Sequence, residues 1–155
     1  RSSYDYTGSI ILRPAVIEVE AYAAANTAFK GRNSFQLKHV FPQALLYEDH
    51  PLYGILFNKA LTNQYTPKTD EIELSAVPYF FSTVGRNTST SFKWNLNNSP
   101  LALPDFQNSA IFRRKDNKKG SAVVSLTIGN TEKILQKAVT GFNLIFNEKT
   151  SSFGQ

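Results

Sequence analysis

Carboxylate and imidazole side chains come together at one place in the sequence, where Glu48, Asp49 and His50 are consecutive. These are side chains that zinc accepts as ligands, but a zinc site needs three or four ligands that converge on one point. The only other histidine is His39, which lies in a different predicted strand. Since Asp begins turns readily and Pro51 bars continuation of a ladder, we interpret this segment as a solvated turn. We predict no bound metal and no other cofactor.

The remaining acidic residues are spaced for solvation rather than for catalysis. Glu18 and Glu20, and likewise Glu71 and Glu73, alternate with aliphatic residues and therefore fall on the outward side of predicted strands. The Gly-x-Ser-x-Gly motif of a nucleophilic serine and the glycine-rich motifs that hold phosphate are absent from the sequence. Without a group of polar residues that converge, we predict that the chain is not an enzyme.

Basic residues are concentrated in one segment, where Arg113, Arg114 and Lys115 precede Lys118 and Lys119. Such a cluster suits a polyanion, for example a glycan, a teichoic acid or a nucleic acid. Lysines also protect the edges of soluble sheets from aggregation, and we prefer that interpretation. The other basic residues that contribute to the net charge of +5 are scattered along the chain, so nucleic-acid binding is not predicted.

Three consecutive aromatic residues, Tyr79, Phe80 and Phe81, offer a different kind of binding surface. Because successive side chains of a strand point to opposite faces, at least one of these rings has to point away from the core. Exposed rings bind sugars and peptide partners, whereas buried rings form contacts between sheets or domains. We prefer the buried contact and keep a ligand platform as the alternative. Three further tyrosines could join such a platform, namely Tyr47, Tyr53 and Tyr65.

The composition favours a folded, β-rich domain. Hydrophobic residues make up 41% and aromatic residues 13% of the 155 residues, and aromatic side chains fit a pleated sheet well. Cysteine is absent, which excludes disulfides and thiolate metal sites. The chain begins at Arg1 and contains no methionine, so we expect a processed product or an excised piece. No apolar run reaches the roughly 20 residues that span a bilayer.

A β-strand around the only tryptophan, Trp94, is the clearest element that the sequence predicts. Phe92, Trp94 and Leu96 fall on one side of an extended chain, while Lys93 and Asn95 fall on the other. We therefore expect Trp94 to lie between two packed sheets. The same alternation predicts a structural core that comprises Ile72, Leu74, Phe92, Trp94, Leu96, Val124, Leu126, Phe142 and Leu144.

Turns and loops between the predicted strands can also be placed. Residues 15–23 alternate strongly and predict a strand, while the Ala-, Asn- and Gly-rich residues 23–33 favour a loop. Pro78 breaks the alternation of residues 71–81 and predicts a bulge or a bend at that position. Residues 116–120 end in a glycine and predict a hairpin turn between two paired strands.

Short strands separated by turn signals are the pattern of a β-sandwich, and their order resembles that of a bacterial immunoglobulin-like domain of the PKD or cadherin-like kind. In that family the second strand alternates Ser or Thr with aliphatic residues, the third carries an aromatic-x-Trp sequence, and the sixth follows a glycine turn and ends in an asparagine. The resemblance covers roughly residues 53–148. It rests on five segments, which are residues 71–76, 91–98, 109–115, 120–130 and 142–147.

The chain also departs from the antibody pattern, because no cysteine pair flanks Trp94 and no tyrosine lies in the strand from Ala122 to Gly129. The resemblance implies an all-β fold, an immunoglobulin-like antiparallel β-sandwich with additional N-terminal strands. Such domains occur in repeats within surface or secreted proteins, where they act as spacers or adhesive modules. Cadherin-like members bind calcium through clustered acidic residues, but those of this chain are spread out, so calcium is not predicted.

We divide the chain into three parts. Residues 1–52 contain two or three strands, which either extend the sandwich or end a preceding domain. We prefer the extension, because residues 47–57 contain no flexible linker. Residues 53–148 form the sandwich, and residues 149–155 form a flexible tail.

The leading functional hypothesis is a non-catalytic structural or adhesive module of a larger cell-surface or secreted protein, which acts through its surfaces. Its partners would be neighbouring domains or subunits of the same protein, or a glycan or protein ligand. One alternative is a carbohydrate-binding module with a Tyr or Phe platform. The other is a pilus or filament subunit whose N-terminal strands complement a neighbouring sheet.

Overall fold

The computed structural model of the protein describes residues 14–82, 89–115 and 119–147. The regular elements of these residues are all β-strands. The chain divides after Phe41 into two compact units. The predicted flexible tail, residues 149–155, lies outside the described residues.

The first unit contains an antiparallel hairpin of two long strands, β1 (Ala15–Ala23) and β2 (Asn26–Leu37). The pairing begins with Ala15 opposite Leu37 and continues to a register shift after Tyr22. Within the part of the chain that the structure describes, these two strands pair with each other and with no third strand, and they form a two-stranded sheet.

One local prediction for this unit is confirmed and one is wrong. The strand predicted for residues 15–23 is present as β1. The loop favoured for residues 23–33 is wrong, because most of that segment belongs to β2. Ala, Asn and Gly have low strand propensity, but pairing with β1 satisfies the backbone N–H and C=O groups of the segment and keeps it extended.

The second unit contains two packed sheets. Its strands are, in chain order, β3 (Gln43–His50), β4 (Gly54–Ile55), β5 (Asn63–Tyr65), β6 (Glu71–Tyr79), β7 (Thr90–Leu96), β8 (Ser99–Pro100), β9 (Ser109–Arg113), β10 (Gly120–Asn130) and β11 (Lys137–Phe146). One sheet has the order β4-β3-β6-β9 and the other has the order β5-β11-β10-β7-β8. Neighbouring strands are antiparallel, except that β5 runs parallel to β11.

This strand order is that of an immunoglobulin-like sandwich. The row β3-β6-β9 corresponds to strands A, B and E, and the row β7-β10-β11 corresponds to strands C, F and G on the facing sheet. The predicted fold class, an all-β immunoglobulin-like sandwich with additional N-terminal strands, is therefore confirmed.

The core forms where the alternating apolar faces of the two sheets meet. Ile72 and Leu74 of β6 are buried on one sheet, and Val124 and Leu126 of β10 are buried on the other. These side chains belong to a single cluster of buried apolar residues. Removal of this apolar surface from water is the main force that favours folding of this unit.

Trp94 lies at the centre of this cluster, on β7. Its side chain is 2% exposed, and its ring centroid lies 6.2 Å from that of Phe112 in a tilted arrangement. The indole N–H donates a hydrogen bond of 3.2 Å to the carbonyl oxygen of Gln107, so the polar end of the buried ring is satisfied. Among the other predicted core residues only Leu96 is half-buried, and it still packs against the cluster.

The strands that flank the predicted hairpin turn at residues 116–120 are not paired with each other. β9 pairs with β6, whereas β10 pairs with β7 and β11 in the opposite sheet. The prediction of a hairpin is therefore wrong, although residues 116–118 themselves lie outside the described residues. A turn signal indicates that the chain reverses, but it does not indicate which sheet receives the next strand.

The first strand of the sandwich begins earlier than the predicted boundary at residue 52. β3 pairs with β6 from Gln43 opposite Tyr79 to Asp49 opposite Glu73. The unit that contains it starts at Pro42, so the division of the chain falls after Phe41 instead. Long-range pairing decides this boundary, and the composition of the chain does not change there.

The ladder between β3 and β6 continues through Pro78, which lies opposite Ala44 without a register shift. The predicted position of the bulge is therefore wrong. The unusual backbone follows at Phe80, where φ is +61° and the strand has already ended. A proline can lie in a ladder where its nitrogen faces away from the partner strand.

Candidate functional site

The β1–β2 hairpin has one apolar face and one charged face. The register and the alternation of side chains place Val19 and Phe35 on the same face. The other face carries Glu18 and Glu20, and both carboxylates form ion pairs with Arg32, the second at 3.5 Å. The hairpin is therefore a two-sided ribbon with distinct surfaces.

The apolar face of the hairpin is open to solvent. The exposed fraction is 53% for Val19, 50% for Phe35 and 37% for Leu37. Phe29, which lies at the register shift, is 72% exposed. None of the described side chains of β1 and β2 is buried. A two-stranded hairpin without a core is only marginally stable in water, so a face of this kind is suited to packing on another surface.

A second candidate site is a cavity of about 640 Å³ beside the point where β3 passes into β4. Its walls carry charges of both signs together with two tyrosines, Tyr53 and Tyr65. The charged side chains that line it are Glu48, Asp49, Lys59, Lys68, Glu71 and Glu73. A cavity of this size falls in the range of small-molecule sites.

The tyrosine on the short strand β5 is tied to the wall of this cavity. The Tyr65 hydroxyl donates a hydrogen bond to the carboxylate of Glu48. Burial, followed by the hydrogen bond and the negative charge of Glu48, raises the pKa of Tyr65 to about 12. The ammonium group of Lys59 lies 5.8 Å from the centroid of the same ring. This wall therefore brings together the protonated hydroxyl of Tyr65, the carboxylate of Glu48 and the ammonium group of Lys59.

The acidic segment Glu48 to His50 is the end of strand β3, and the turn begins only at Pro51. The solvated turn predicted for this segment is therefore wrong. Pairing with β6 as far as Asp49 and with β4 at His50 extends the strand, and its last residues are half-buried. Asp49 accepts a hydrogen bond of 2.9 Å from the hydroxyl of Ser75 on β6. The pairing directs these polar groups and makes them part of the cavity.

Tyr53 is held at the edge of the cavity by the turn that follows β3. The N–H of Tyr53 donates to the carbonyl oxygen of His50 at 3.1 Å, and the N–H of Leu52 donates to Nδ1 of His50 at 3.1 Å. The two rings stack with centroids 4.7 Å apart and planes inclined at 31°. Gly54, with φ of +68°, then returns the chain into β4. The ring of Tyr53 is 76% exposed, so its orientation is fixed while most of its surface stays open.

The predicted aromatic platform at residues 79–81 does not form as one surface. The hydroxyl of Tyr79 is hydrogen-bonded to that of Tyr47 at 3.2 Å, and this bond, with burial, raises the pKa of Tyr47. Phe81 packs against the core cluster. Phe80 is 56% exposed and remains available to a ligand.

Two arginines of the basic segment form ion pairs with acidic residues, which reduces the positive charge of the segment. Arg113 donates a hydrogen bond of 2.6 Å from Nε to Glu71, and Arg114 forms an ion pair with Asp70. The side chain of Arg114 is only 4% exposed. These two arginines therefore lose much of the positive potential that a polyanion site would need.

The three lysines of the predicted basic cluster remain. Lys119 lines a cavity of about 470 Å³ together with Lys115, whereas Lys118 lies outside the described residues. Arg113 and Arg114 also line this cavity, and its apolar lining includes Leu144 and Phe146. The protected sheet edge stays the preferred interpretation of this segment, and a polyanion surface stays the alternative.

The structure brings together residues that the sequence does not group. Tyr53, Tyr65 and Glu48 meet at one cavity because β5 is held against β11, with Tyr65 opposite Leu144. The sequence signal for this site is weak. It consists of the turn sequence from His50 to Gly54, which places an aromatic ring after a proline.

No group of three or more His, Asp or Glu side chains that could hold a metal ion occurs among residues 14–82, 89–115 and 119–147. Within the same residues, no helix has the length and apolar character required to cross a membrane.

The chain was compared with family models, curated proteins and solved structures. No family model matches the chain, and no curated protein matches it. The chain is similar to the solution structure of the PKD domain (329–428) from human KIAA0319, with 14% sequence identity and a TM-score of 0.43. The match covers 74% of this chain and 90% of that chain. The assignment of the immunoglobulin-like fold rests on the order and direction of the strands.

Proposed function

We propose that this protein is a non-catalytic structural or adhesive module of a larger cell-surface or secreted protein. In this proposal the β1–β2 hairpin packs against a neighbouring domain or subunit of that protein. The observation that carries the proposal is the exposed apolar face of the hairpin, which includes Val19, Phe35 and Leu37.

Burial of that face would be strongly favourable. Each large apolar side chain gains about 1.5–3 kcal/mol when it is fully removed from water. Association and ordering cost several kcal/mol in return, so a binding surface requires several such side chains acting together. The hairpin supplies them on one face and places its carboxylates and Arg32 on the other.

A protein surface is the partner that best fits the hairpin. Among the described residues β1 and β2 pair with no further strand, so the hairpin can add to a strand of another domain at its edges. The alternative of a pilus subunit, in which a single strand completes the sheet of a neighbouring subunit, fits the hairpin less well, because β1 already pairs with β2 of its own chain along its length.

The sandwich is the supporting part of the proposed module. Its core is formed by residues of its own unit, so in this proposal the sandwich folds without help from the partner that the hairpin binds. The location outside the cell is part of the proposal and follows from the resemblance of the strand order to domains of surface proteins.

Hydrogen–deuterium exchange tests the proposal. We expect the amides of residues 15–37 to exchange rapidly in the isolated chain and to become protected in the full-length gene product. Val19→Ser and Phe35→Ser should each reduce that protection. Val16→Ser is the matched control, since it makes the same change on the opposite face of β1 at a residue with 61% exposure.

Two results would contradict the proposal. The first is equal exchange of residues 15–37 in the isolated chain and in the full-length product. The second is loss of protection in Val16→Ser to the same extent as in Val19→Ser, which would show that the apolar face is not the contact.

A further inference from the structure

We propose that the cavity beside the β3–β4 turn binds a neutral saccharide, with the ring of Tyr53 as its stacking platform. The site uses residues of the second unit only. It therefore stands independently of the role proposed for the hairpin, and either proposal can fail without the other.

The first argument is the geometry of Tyr53. Its ring is 76% exposed at the cavity wall, yet the stacked His50 ring at 4.7 Å and the hydrogen-bonded turn restrain its direction. The electron-rich face of an aromatic ring attracts the electropositive C–H edges of a sugar ring. Because the orientation is already set, a ligand loses little side-chain entropy when it stacks there.

The second argument is the mixture of polar groups around the ring. Asp49 and Glu73 can accept hydrogen bonds from sugar hydroxyls, while Lys59 and Asn58 can donate them. A ligand with many hydroxyl groups needs both kinds of partner at short spacing. A strongly anionic ligand would instead meet repulsion, because the acidic side chains of the wall outnumber its lysines.

The third argument is size. The cavity volume of about 640 Å³ is large enough for a short oligosaccharide segment. Tyr65 and Glu48 close one wall through their hydrogen bond, and Leu61, which is 4% exposed, contributes to the apolar lining. An apolar surface with a few directed polar groups at its edge is the usual composition of a small-ligand site.

Native affinity electrophoresis tests this proposal with five polysaccharides in the gel. Hydroxyethyl cellulose, dextran and galactomannan are the neutral probes, polygalacturonate is the anionic probe and chitosan is the cationic probe. We expect at least one neutral probe to retard the chain. Tyr53→Ala should weaken that binding about tenfold, whereas Tyr53→Phe keeps the ring and should bind like the unmodified chain.

Phe80→Ala is the matched control, because it removes another exposed aromatic ring that does not line the cavity. It should not change the retardation. Asn58→Ala gives a second test within the cavity, and we expect it to weaken binding while circular dichroism shows an unchanged fold.

Three results would overturn the proposal. One is the absence of retardation by every neutral probe, including the case in which only chitosan or polygalacturonate retards the chain. Another is undiminished binding by Tyr53→Ala. The last is an equal loss of binding by Phe80→Ala and Tyr53→Ala, which would indicate contact with aromatic surface in general.

Discussion

The sandwich and the β1–β2 hairpin use the same alternation of apolar and polar residues with opposite results. In the sandwich, two apolar faces meet, and side chains such as Leu74, Trp94 and Leu126 are buried at 0–2% exposure. In the hairpin, the described residues of the same unit place no second layer on the apolar face, and Phe35 stays 50% exposed. The comparison teaches that alternation makes a strand amphipathic, while burial requires a second layer.

The largest effect should come from the centre of the sandwich. Trp94→Ala removes a ring that is 2% exposed and leaves a cavity beside Phe112, so the free energy of unfolding should fall by about 3–5 kcal/mol. Chemical denaturation monitored by far-ultraviolet circular dichroism measures this change. A loss under about 1 kcal/mol would mean that the ring is not part of a closed core, and the contrast with the hairpin would disappear.

A smaller loss of stability is expected from a substitution at Gly141 of β11, which lies opposite Ser125 of β10. A Cβ atom at Gly141 would lie 2.7 Å from the carbonyl oxygen of Val124, so Gly141→Ala should lower the free energy of unfolding by about 1–3 kcal/mol. Gly120→Ala is the matched control in the same pair of strands, because a Cβ there has no atom within 4 Å. Equal effects of the two substitutions in denaturant titrations would argue against tight packing of this sheet.

A pH-dependent change in the free energy of unfolding is expected from Tyr65 on β5. The pKa of Tyr65 is raised from 10.0 to about 12, so the folded state holds its proton more tightly than the unfolded state does. This contribution to stability is complete below about pH 10 and is lost as the pH rises towards 12. Because the ring is partly exposed, we expect about 1–2 kcal/mol.

Tyr65→Phe provides the comparison for this pH effect. Unfolding titrations of both chains between pH 9 and about pH 12 should show that the free energy of unfolding falls more steeply with pH in the unmodified chain than in Tyr65→Phe. Parallel curves would indicate that Tyr65 titrates at its ordinary pKa and that its hydrogen bond to Glu48 is not maintained in solution.

The smallest effect should come from the hairpin. Phe35→Ala changes a side chain that is 50% exposed, so the free energy of unfolding of the sandwich should change by less than about 0.5 kcal/mol. The same denaturant titration measures it. A loss comparable with that of Trp94→Ala would show that the hairpin contributes to the stability of the isolated chain and would remove the distinction between the two regions.

The alternation of apolar and polar residues in the sequence was sufficient to predict many of the buried core residues. Phe92, Trp94 and Leu96 alternate with polar residues, and this pattern predicts both a strand and the side of it that faces inward. Leu96 is the instructive member, because it alternates correctly and is still only half-buried at the edge of the cluster. Periodicity shows which face is apolar, but it does not show how far the opposite sheet extends over that face.

Pairing between distant strands could not be predicted in the same way. Residues 116–120 have good turn chemistry, yet β9 and β10 on either side of them join different sheets. Residues 23–33 have poor strand chemistry, yet they pair with β1. In both cases the outcome depends on backbone hydrogen bonds to a partner strand, and every strand has the same backbone groups to offer.

The candidate sites show the same division. The sequence by itself determined the all-β class, the inward face of the Trp94 strand, and the supply of tyrosines and acidic residues from which a site could be made. Only the tertiary structure decided that Arg114 is buried beside Asp70, that Tyr79 is bound to Tyr47, and that Tyr53 and Tyr65 line one cavity with Glu48. The physical reason is that side-chain type and local spacing are properties of the chain, whereas burial, ion pairing and convergence depend on contacts between residues far apart in it.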